Sequence, residues 1–168
     1  MTLALTQADF NRLVEEHGPV LYRIAYRMLG DSHEAEDVVQ EAFRSAWRSR
    51  SRYVRGRGDR AWLASILRRR VIDMWRRHPP PIPLGGDGAP EIGVPPVDPF
   101  AEEFTDEVQA ALLRLPEELR ETLLLVVVGD LTHQEVADLL GIPLGTVLSR
   151  VSRARTRLRE YLLSYAGS

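Results

Sequence analysis

The sequence predicts an all-α protein in which two small helical domains are joined by a linker. Apolar residues recur at intervals of three and four along most segments, which is the spacing of one helix face. No segment of useful length shows the alternation of a half-buried strand. Residues 78–99 hold eight of the eleven prolines and four of the twelve glycines, a composition typical of a linker. The predicted domains are therefore residues 1–77 and 100–168.

The composition excludes several classes of protein. The chain has 168 residues and 44% hydrophobic content, enough for one domain or two small ones. Its longest apolar run, Leu123 to Val128, has six residues, whereas a membrane span needs roughly 18 to 20. The N-terminus lacks the basic and apolar segments of a signal peptide, so a soluble intracellular protein is the default expectation. Because the chain has no cysteine and its four histidines are scattered, we expect no metal site and no cofactor.

The first domain is predicted to contain three helices, each with one apolar face. His17 lies on the apolar face of the first helix, so we expect a packed histidine there and no catalytic role. Capping side chains and glycines mark the helix ends. The predicted helices are Gln7 to Leu29 with Thr6 as cap and Gly30 as stop, a second capped by Asp31 with Glu34 at the capping-box position, and Asp59 to Arg77 after the loop Ser51 to Gly58, with Asp59 as cap.

The second domain is predicted to contain four helices. Pro116 suits a first helical turn, and the acidic residues that follow it suit the positive end of the helix dipole. The predicted helices are Pro99 to Leu115 with Asp98 as cap, a second from Pro116 to a stop at Gly129, a third capped by Thr132 and stopped by Gly141, and a fourth from Leu144 to Leu162.

The last two of these helices form a predicted helix-turn-helix. Thr132 and Glu135 match a capping box, and Gly141 allows a sharp turn before the longer helix. The longer helix has an apolar stripe on one side and hydroxyl and guanidinium groups on the other, which is the arrangement that places a recognition helix in the DNA major groove. A merely solvated arginine face is the alternative. The residues predicted to face DNA are Thr146, Ser149, Arg150, Arg153 and Arg157.

Positive charge is concentrated in two separate blocks. Residues 44–77 contain twelve arginines and two acids, a net charge of +10, and residues 142–168 contain five arginines and one acid, a net charge of +4. The remaining segments are acidic, with a net charge of −5 over residues 1–43 and −11 over residues 78–141. Two basic blocks in an otherwise acidic chain suggest two separate contacts with a polyanion.

Four motifs in this order resemble those of the extracytoplasmic-function (group 4) RNA polymerase sigma factors of bacteria. The segment EAEDVVQEAFRSAW (residues 34–47) is similar to the family's core-polymerase-binding helix. The segment RAWLASILRRRVIDMWRR (residues 60–77) resembles its promoter-melting and −10 segment. The segment LRLPEELRETLLL (residues 113–125) and the helix-turn-helix resemble its −35 domain. The resemblance covers nearly all of the chain outside the linker.

The resemblance implies a role for each polar surface. The polar side of the second helix, which its own pattern alone would assign to a solvated face, would dock on the clamp-helix coiled coil of the largest polymerase subunit, through Asp37, Gln40, Glu41, Arg44 and Arg48. The third helix and the loop before it would bind and melt the −10 element, because aromatic and guanidinium planes suit unstacked bases and a loop can hold a flipped base. The −10 residues would be Arg52, Arg55, Arg57, Trp62, Arg68, Arg69, Trp75 and Arg76. The alternative is that the tryptophans belong to the core and the arginines are solvated, and we expect at least one tryptophan to be buried.

The resemblance also implies partners and a location. The partners would be core RNA polymerase, through its clamp helices and flap region, promoter DNA, and an anti-sigma factor. The chain would act in the bacterial cytoplasm, where the anti-sigma factor can hold it at the membrane. Two positions depart from the family pattern: Arg69 stands where Asn is usual, which leaves the −10 specificity open, and Leu148 stands where Lys is common. Leu148 would contact a thymine methyl group or pack in the protein.

Other classes of function predict different features. A stand-alone helix-turn-helix regulator would bind duplex DNA as a dimer, and it would need neither the polar face on the second helix nor the linker. A protein-interaction module is a further alternative. An enzyme would need a nucleophile with its base, a metal cluster or a phosphate loop, and the sequence shows none of them. The sequence therefore predicts a non-catalytic promoter-specificity subunit.

Overall fold

The computed structural model of the protein describes residues 5–54, 58–77 and 105–166. These residues form seven α-helices and one 3-10 turn at Arg50–Arg52, and no strand occurs among them. The all-α prediction is confirmed. The helices are α1 (Gln7–Leu29), α2 (Ser32–Arg48), α3 (Asp59–Arg77), α4 (Asp106–Arg114), α5 (Glu117–Val127), α6 (His133–Leu140) and α7 (Leu144–Ala166).

Several helix ends follow the predicted capping. The Asp31 carboxylate accepts a hydrogen bond from the Glu34 backbone N–H at 3.0 Å and so caps α2. Thr132 and Glu135 form the reciprocal capping box of α6, which ends at Gly141 in the left-handed conformation. The predicted cap and stop of α1 are also present, at Thr6 and Gly30.

The start of α4 differs from the prediction. The predicted first residue, Pro99, and the predicted cap, Asp98, lie outside the described residues. The helix that the structure shows begins at Asp106, because the Thr105 hydroxyl accepts a hydrogen bond from the Val108 backbone N–H at 3.3 Å and caps the chain there. A local side-chain hydrogen bond thus sets this helix end.

The end of α5 also differs slightly. The helix ends at Val127, and Asp130, not Gly129, adopts the left-handed backbone conformation, with φ of 54°. Position 129 has no room for a larger residue. A Cβ atom there would lie 2.6 Å from the Leu125 carbonyl oxygen and 3.2 Å from Ile24 Cδ1 of α1. The glycine therefore permits a close approach between the end of α5 and α1.

Two helical bundles account for most of the packing. In the first, α1 packs against α2 and α3, and Leu21, Leu63 and Val71 are fully buried. In the second, α7 packs against α4, α5 and α6, and Leu124 and Val147 are fully buried. None of the described helices is long and apolar enough to cross a membrane.

The two bundles are in direct contact, which the sequence did not predict. Helix α1 packs against α4 and α5, and α3 packs against α6, so buried residues of both bundles form one continuous core. Arg27 Nη1 donates to Gln109 Oε1 at 2.9 Å, and Gln109 Nε2 donates back to the Arg27 carbonyl at 3.3 Å. Gly30 lies beside Leu113 of α4, where a Cβ atom would be only 2.9 Å from Leu113 Cδ1. The two halves thus form a closed arrangement, and the predicted linker, residues 78–99, lies outside the described residues.

Arg120 holds the joint between α4 and α5 and also contacts the first bundle. Its side chain is buried and donates four hydrogen bonds of 2.9 Å, all to backbone carbonyls near helix ends. The acceptors are Leu112, Leu113 and Leu115 at the end of α4, and Met28 at the end of α1. Carbonyls at a helix C-terminus carry partial negative charge, and most lack an intrahelical partner; the Leu112 carbonyl also accepts from the Leu115 backbone N–H at 3.1 Å. Burial lowers the pKa of Arg120, and the nearby Glu117 acts in the opposite direction. The cation is thus stabilised mainly by helix termini.

His17 is a packed histidine, as its place on the apolar face predicts. It is buried on α1, and its Nδ1 atom has no hydrogen-bond partner among the described residues. Burial is the main cause that lowers its pKa from 6.5; Arg60 also lowers it, while Glu16 and Asp59 raise it. The folded protein therefore favours the neutral imidazole.

The burial of His17 predicts that the free energy of unfolding falls in mild acid. Because the pKa of His17 is lower in the folded state, the unfolded chain takes up the proton first as the pH falls. The contribution of His17 to stability is complete above pH 6.5 and declines as the pH falls below that value toward the folded pKa. We expect His17→Leu to reduce the difference in unfolding free energy between pH 7.5 and pH 5.5, measured by urea denaturation. The exposed His33→Gln variant serves as the control, and an equal pH difference in wild type and His17→Leu would contradict this assignment.

Candidate nucleic-acid and polymerase interfaces

The α6–α7 pair has the geometry of a helix-turn-helix. The turn is tight, because the Thr146 and Val147 backbone N–H groups both donate to the Pro143 carbonyl, at 3.0 and 3.3 Å. The predicted apolar stripe faces inward: Val147, Val151 and Ala154 are buried. The opposite side of α7 is therefore directed away from the core, as a recognition helix requires.

The outward side of α7 carries the predicted DNA-reading residues. Arg153 and Arg157 are exposed, while Thr146 and Ser149 are half-buried. Arg153 Nη2 donates to Ser149 Oγ at 3.3 Å, so the hydroxyl helps to position the guanidinium. Leu148 lies on the surface with 49% of its area exposed. Packing inside the protein does not explain this leucine, so contact with a thymine methyl group remains the better prediction.

Arg150 is more enclosed than the other arginines of this face. Only 19% of its side chain is exposed, and its Nη2 atom lies 3.8 Å from Glu118 Oε2 of α5. This distance is long for a hydrogen bond but within the range of an ion pair. The carboxylate can therefore orient the guanidinium at the base of the recognition face.

The predicted −10 residues of α3 fall into two groups. Arg69 and Arg76 are exposed, and Trp62 is half-buried against Tyr53, with ring centroids 5.2 Å apart. These three residues recur every seven positions and so lie on one side of the helix. The structure thus leaves one arginine-rich strip of α3 accessible to nucleic acid.

The other two −10 residues of α3, Arg68 and Trp75, face the second bundle. Arg68 Nε and Nη2 donate to the two carboxylate oxygens of Glu121, at 2.8 and 3.2 Å. Trp75 is 8% exposed, and its ring centroid lies 5.7 Å from the Arg120 guanidinium carbon. In this closed arrangement neither side chain is free to bind a base.

The loop before α3 is only partly described. Arg55 and Arg57 lie outside the described residues, whereas Arg52 is exposed. Tyr53 is buried, and its hydroxyl donates to Asp59 Oδ1 at 2.6 Å. This bond joins Tyr53 to the first turn of α3.

The predicted polymerase-binding face of α2 is open to solvent. Asp37 and Gln40 are exposed on the side opposite the buried alanines of this helix. Glu41 lies between two arginines, 2.7 Å from Arg48 and 3.5 Å from Arg44. The hydrogen bond from Arg48 is the main cause that lowers the pKa of the Glu41 carboxyl. This face thus presents charged groups of both signs in a fixed arrangement.

Sequence analysis missed three buried polar residues of the second bundle that contact the first bundle. These are Gln109, Arg120 and Glu121, all of which are buried. The one signal for Arg120 was its isolation, since it is one of two arginines in the acidic segment 78–141. Gln109 and Glu121 lie in ordinary helical patterns, and their partners are distant in sequence, so no local signal could have identified them.

Comparisons with known proteins identify both halves. Residues 13–79 match Sigma-70 region 2, and residues 105–158 match Sigma-70 region 4. The ECF RNA polymerase sigma factor SigE of Mycolicibacterium smegmatis is 36% identical over 166 residues, which cover 94% of this chain and 63% of SigE. SigW of Bacillus subtilis, also an ECF sigma factor, is 32% identical over 168 residues, which cover 93% of this chain and 90% of SigW. The chain therefore spans less than two thirds of SigE and nine tenths of SigW.

Two solved structures have a similar arrangement of helices. The sigma factor RpoE of Bartonella quintana, in complex with the anti-sigma factor NepR, has a TM-score of 0.77 and 28% identity, over 92% of this chain and 96% of RpoE. CnrH, in complex with the cytosolic domain of CnrY, has a TM-score of 0.71 and 26% identity, over 95% of this chain and 90% of CnrH. With two Sigma-70 regions in this order and a relative such as SigW matched over most of both chains, the protein belongs to the ECF RNA polymerase sigma factors.

Proposed function

We propose that this sigma factor binds core RNA polymerase through α2 and directs it to promoters that it recognises through α3 and α7. The two halves, residues 1–77 and 100–168, would be joined by residues 78–99 and would each bind one promoter element. The observation that best supports this proposal is the presence of two separate arginine faces, on α3 and α7, one in each Sigma-70 region.

The exposed strip of α3 would bind the −10 element. Trp62, Arg69 and Arg76 offer one ring and two guanidinium planes to unpaired bases and to the backbone. Stacking contributes about 1–3 kcal/mol per base, and unpairing a base costs a few kcal/mol, so a small number of such contacts can offset strand opening. The loop residues Arg52, Arg55 and Arg57 would hold an extruded base, and Arg68 and Trp75 would join this surface after the halves separate.

The outward side of α7 would bind the −35 element in the major groove. Arg150 and Arg153 are placed to contact base edges or phosphates, with Thr146 and Ser149 close to the groove floor and Arg157 near the backbone. Glu118 would keep the Arg150 guanidinium oriented before DNA arrives, which lowers the entropic cost of binding.

The remaining roles concern proteins. Asp37, Gln40, Glu41, Arg44 and Arg48 would form the polar surface that docks on the clamp helices of the largest polymerase subunit, and the second bundle would contact the flap region. An anti-sigma factor is a further expected partner, since the similar structure of the sigma factor RpoE holds it bound to the anti-sigma factor NepR. We infer that the chain acts in the bacterial cytoplasm as a binding subunit with no catalytic activity of its own, and that its anti-sigma factor can hold it at the membrane.

The experiment that tests this function is in vitro transcription with core polymerase and a randomised promoter library. We expect the protein to co-elute with core polymerase that lacks a sigma factor, and selected run-off products to share two promoter elements. A stand-alone regulator would instead shift duplex DNA strongly without polymerase. Failure to co-elute with core polymerase, when no inhibitor is present, would refute the proposed function.

A variant of the α2 face tests the docking surface separately. We expect Asp37→Arg to weaken core binding at least about tenfold, because a reversed charge faces a complementary partner surface. Fluorescence anisotropy of labelled protein with core polymerase measures this affinity. The control is Glu15→Arg, an equal change of charge at an exposed position of α1. Equal affinities for the two variants would show that Asp37 lies outside the docking surface.

A further inference from the structure

Two leucines in the first two turns of α7 are exposed to solvent. Leu144 has 40% and Leu148 has 49% of its surface exposed, and they are two of the five exposed large apolar side chains among the residues that the structure describes. They lie four positions apart, so they are neighbours on the helix surface, with Cβ atoms about 5–6 Å apart. The side chains that hold α7 in its bundle, such as Val147 and Val151, are buried instead. The two leucines thus form an apolar pair that packing inside the bundle does not explain.

Gly145 lies between the two leucines and independently indicates an external ligand. A Cβ atom at this position would meet no described atom within 4 Å, and the residue does not have the positive φ that favours glycine. Alanine would therefore fit, and it forms helices better than glycine. Because neither space nor backbone geometry inside the protein calls for a glycine here, its use is to let the helix backbone approach a ligand closely.

The position of the pair and the charge beside it favour DNA as that ligand. In helix-turn-helix proteins the N-terminal residues of the recognition helix contact the base edges. Leu144 and Leu148 both lie in this segment, beside the predicted DNA-reading residue Ser149. The Ser149 hydroxyl accepts a hydrogen bond from Arg153 Nη2 at 3.3 Å, so a guanidinium group stands next to the same segment. Positive charge at the edge of an apolar pair attracts a polyanion, and the pair would then meet the bases.

The chemistry of leucine selects one feature of the base edges. In the major groove the bases present hydrogen-bond donors and acceptors, and thymine also presents its C5 methyl group. A leucine side chain cannot satisfy the polar groups, and covering them would leave them without partners, which costs free energy. Neighbouring bases of one strand are about 3.4 Å apart along the duplex axis. Two side chains about 5–6 Å apart can therefore reach methyl groups on neighbouring base pairs.

We propose that Leu144 and Leu148 together read thymine methyl groups, so that the −35 element of this sigma factor carries A·T pairs at two neighbouring positions. This inference rests on the proposed function and deepens it, because it names the chemical group that α7 selects. Gly145 would bring the backbone of α7 close to the same bases. Discrimination at these two positions would then depend on apolar contact and not on a hydrogen bond.

The test removes single methyl groups from the promoter. The −35 element is first selected from the randomised library, and each of its thymines, on either strand, is then replaced in turn by deoxyuridine, which lacks only the C5 methyl group. We expect deoxyuridine at each of two neighbouring positions to lower run-off transcription about three- to fivefold, the effect of one buried methyl group. The full-length protein and core polymerase are used at concentrations where promoter binding limits initiation. Thymines in the spacer between the two elements serve as the control for the DNA.

Leucine variants assign each lost contact to a residue. We expect Leu144→Ala and Leu148→Ala each to abolish the response to deoxyuridine at one of the two positions, because the methyl group there then has no apolar partner. Leu163→Ala is the matched control at an exposed position near the other end of α7, and it should keep the wild-type ratio of transcription from thymine and deoxyuridine templates. This ratio does not depend on the overall activity of a variant, so weaker promoter binding does not obscure the result.

The outcomes separate this proposal from the proposed function. If wild type initiates transcription but its −35 element has no A·T pair, or does not respond to deoxyuridine, the leucine pair does not read thymine and the sigma-factor function stands. The same conclusion follows if both leucine variants keep the wild-type ratio. Weaker core binding by both variants, with that ratio unchanged, would identify the pair as a protein contact and overturn the proposal. If wild type neither binds core polymerase nor initiates, the proposed function fails and the thymine reader fails with it.

Discussion

Replacement of Arg120 with methionine is expected to lower the free energy of unfolding by about 4 kcal/mol. Methionine fills a similar volume but donates no hydrogen bond, so four carbonyls at the ends of α1 and α4, three of them in buried hydrogen bonds, lose a donor. Each unsatisfied buried acceptor costs about 1–3 kcal/mol, and some of these carbonyls will find water. Chemical denaturation monitored by circular dichroism measures the change.

Two further variants make the Arg120 prediction specific. Arg155→Met removes an exposed arginine of α7, and we expect a change within about 0.5 kcal/mol. Arg120→Lys keeps a cation but lacks the planar group that reaches four acceptors, so an intermediate loss is expected. If Arg120→Met were as stable as Arg155→Met, the four carbonyls would not depend on this guanidinium.

Replacement of Arg150 with alanine is expected to lower transcription from the protein's own promoter at least about tenfold. The guanidinium is positioned by Glu118 at the base of the α7 face, and a specific arginine contact to a base contributes about 1–3 kcal/mol. Run-off transcription from a linear template with saturating core polymerase measures the loss. Core affinity should remain unchanged, because α7 lies apart from the proposed docking face of α2.

The matched control for Arg150 is Arg155→Ala. Helical geometry places Arg155 on the side of α7 away from Thr146, Arg150 and Arg153, so this variant removes the same charge without touching the reading face. We expect it to retain at least half of the wild-type transcription. Unchanged transcription in Arg150→Ala would show that this residue does not contact the −35 element.

The helices and their ends were largely predictable because their determinants are local. Capping groups such as Asp31 and Thr132, and the period of the apolar residues, specify a helix from its own segment. The start of α4 was placed too early, since the proline-rich segment before it offered Asp98 as a cap while Thr105 carries the observed cap. Arg55 and Arg57, in the loop before α3, lie outside the described residues, so their role in binding the −10 element stays a prediction.

The contact between the bundles could not be predicted in the same way. It depends on pairs that are far apart in sequence, such as Arg68 with Glu121 and Arg27 with Gln109. Each of these residues fits an ordinary solvated helix face when its own segment is considered alone. The sequence predicts that at least one tryptophan of the −10 set is buried, but it does not tell which members are covered. The structure covers Arg68 and Trp75 and leaves Trp62, Arg69 and Arg76 accessible.

The four hydrogen bonds of Arg120 are unevenly distributed between the two bundles. Three of the acceptors belong to the α4–α5 joint itself, and one, Met28, belongs to the other bundle. Of the four, moving the bundles apart would release only the Met28 carbonyl, so the α4–α5 joint would keep its three hydrogen bonds. We therefore expect the second bundle to move as a rigid unit when the halves part, without refolding.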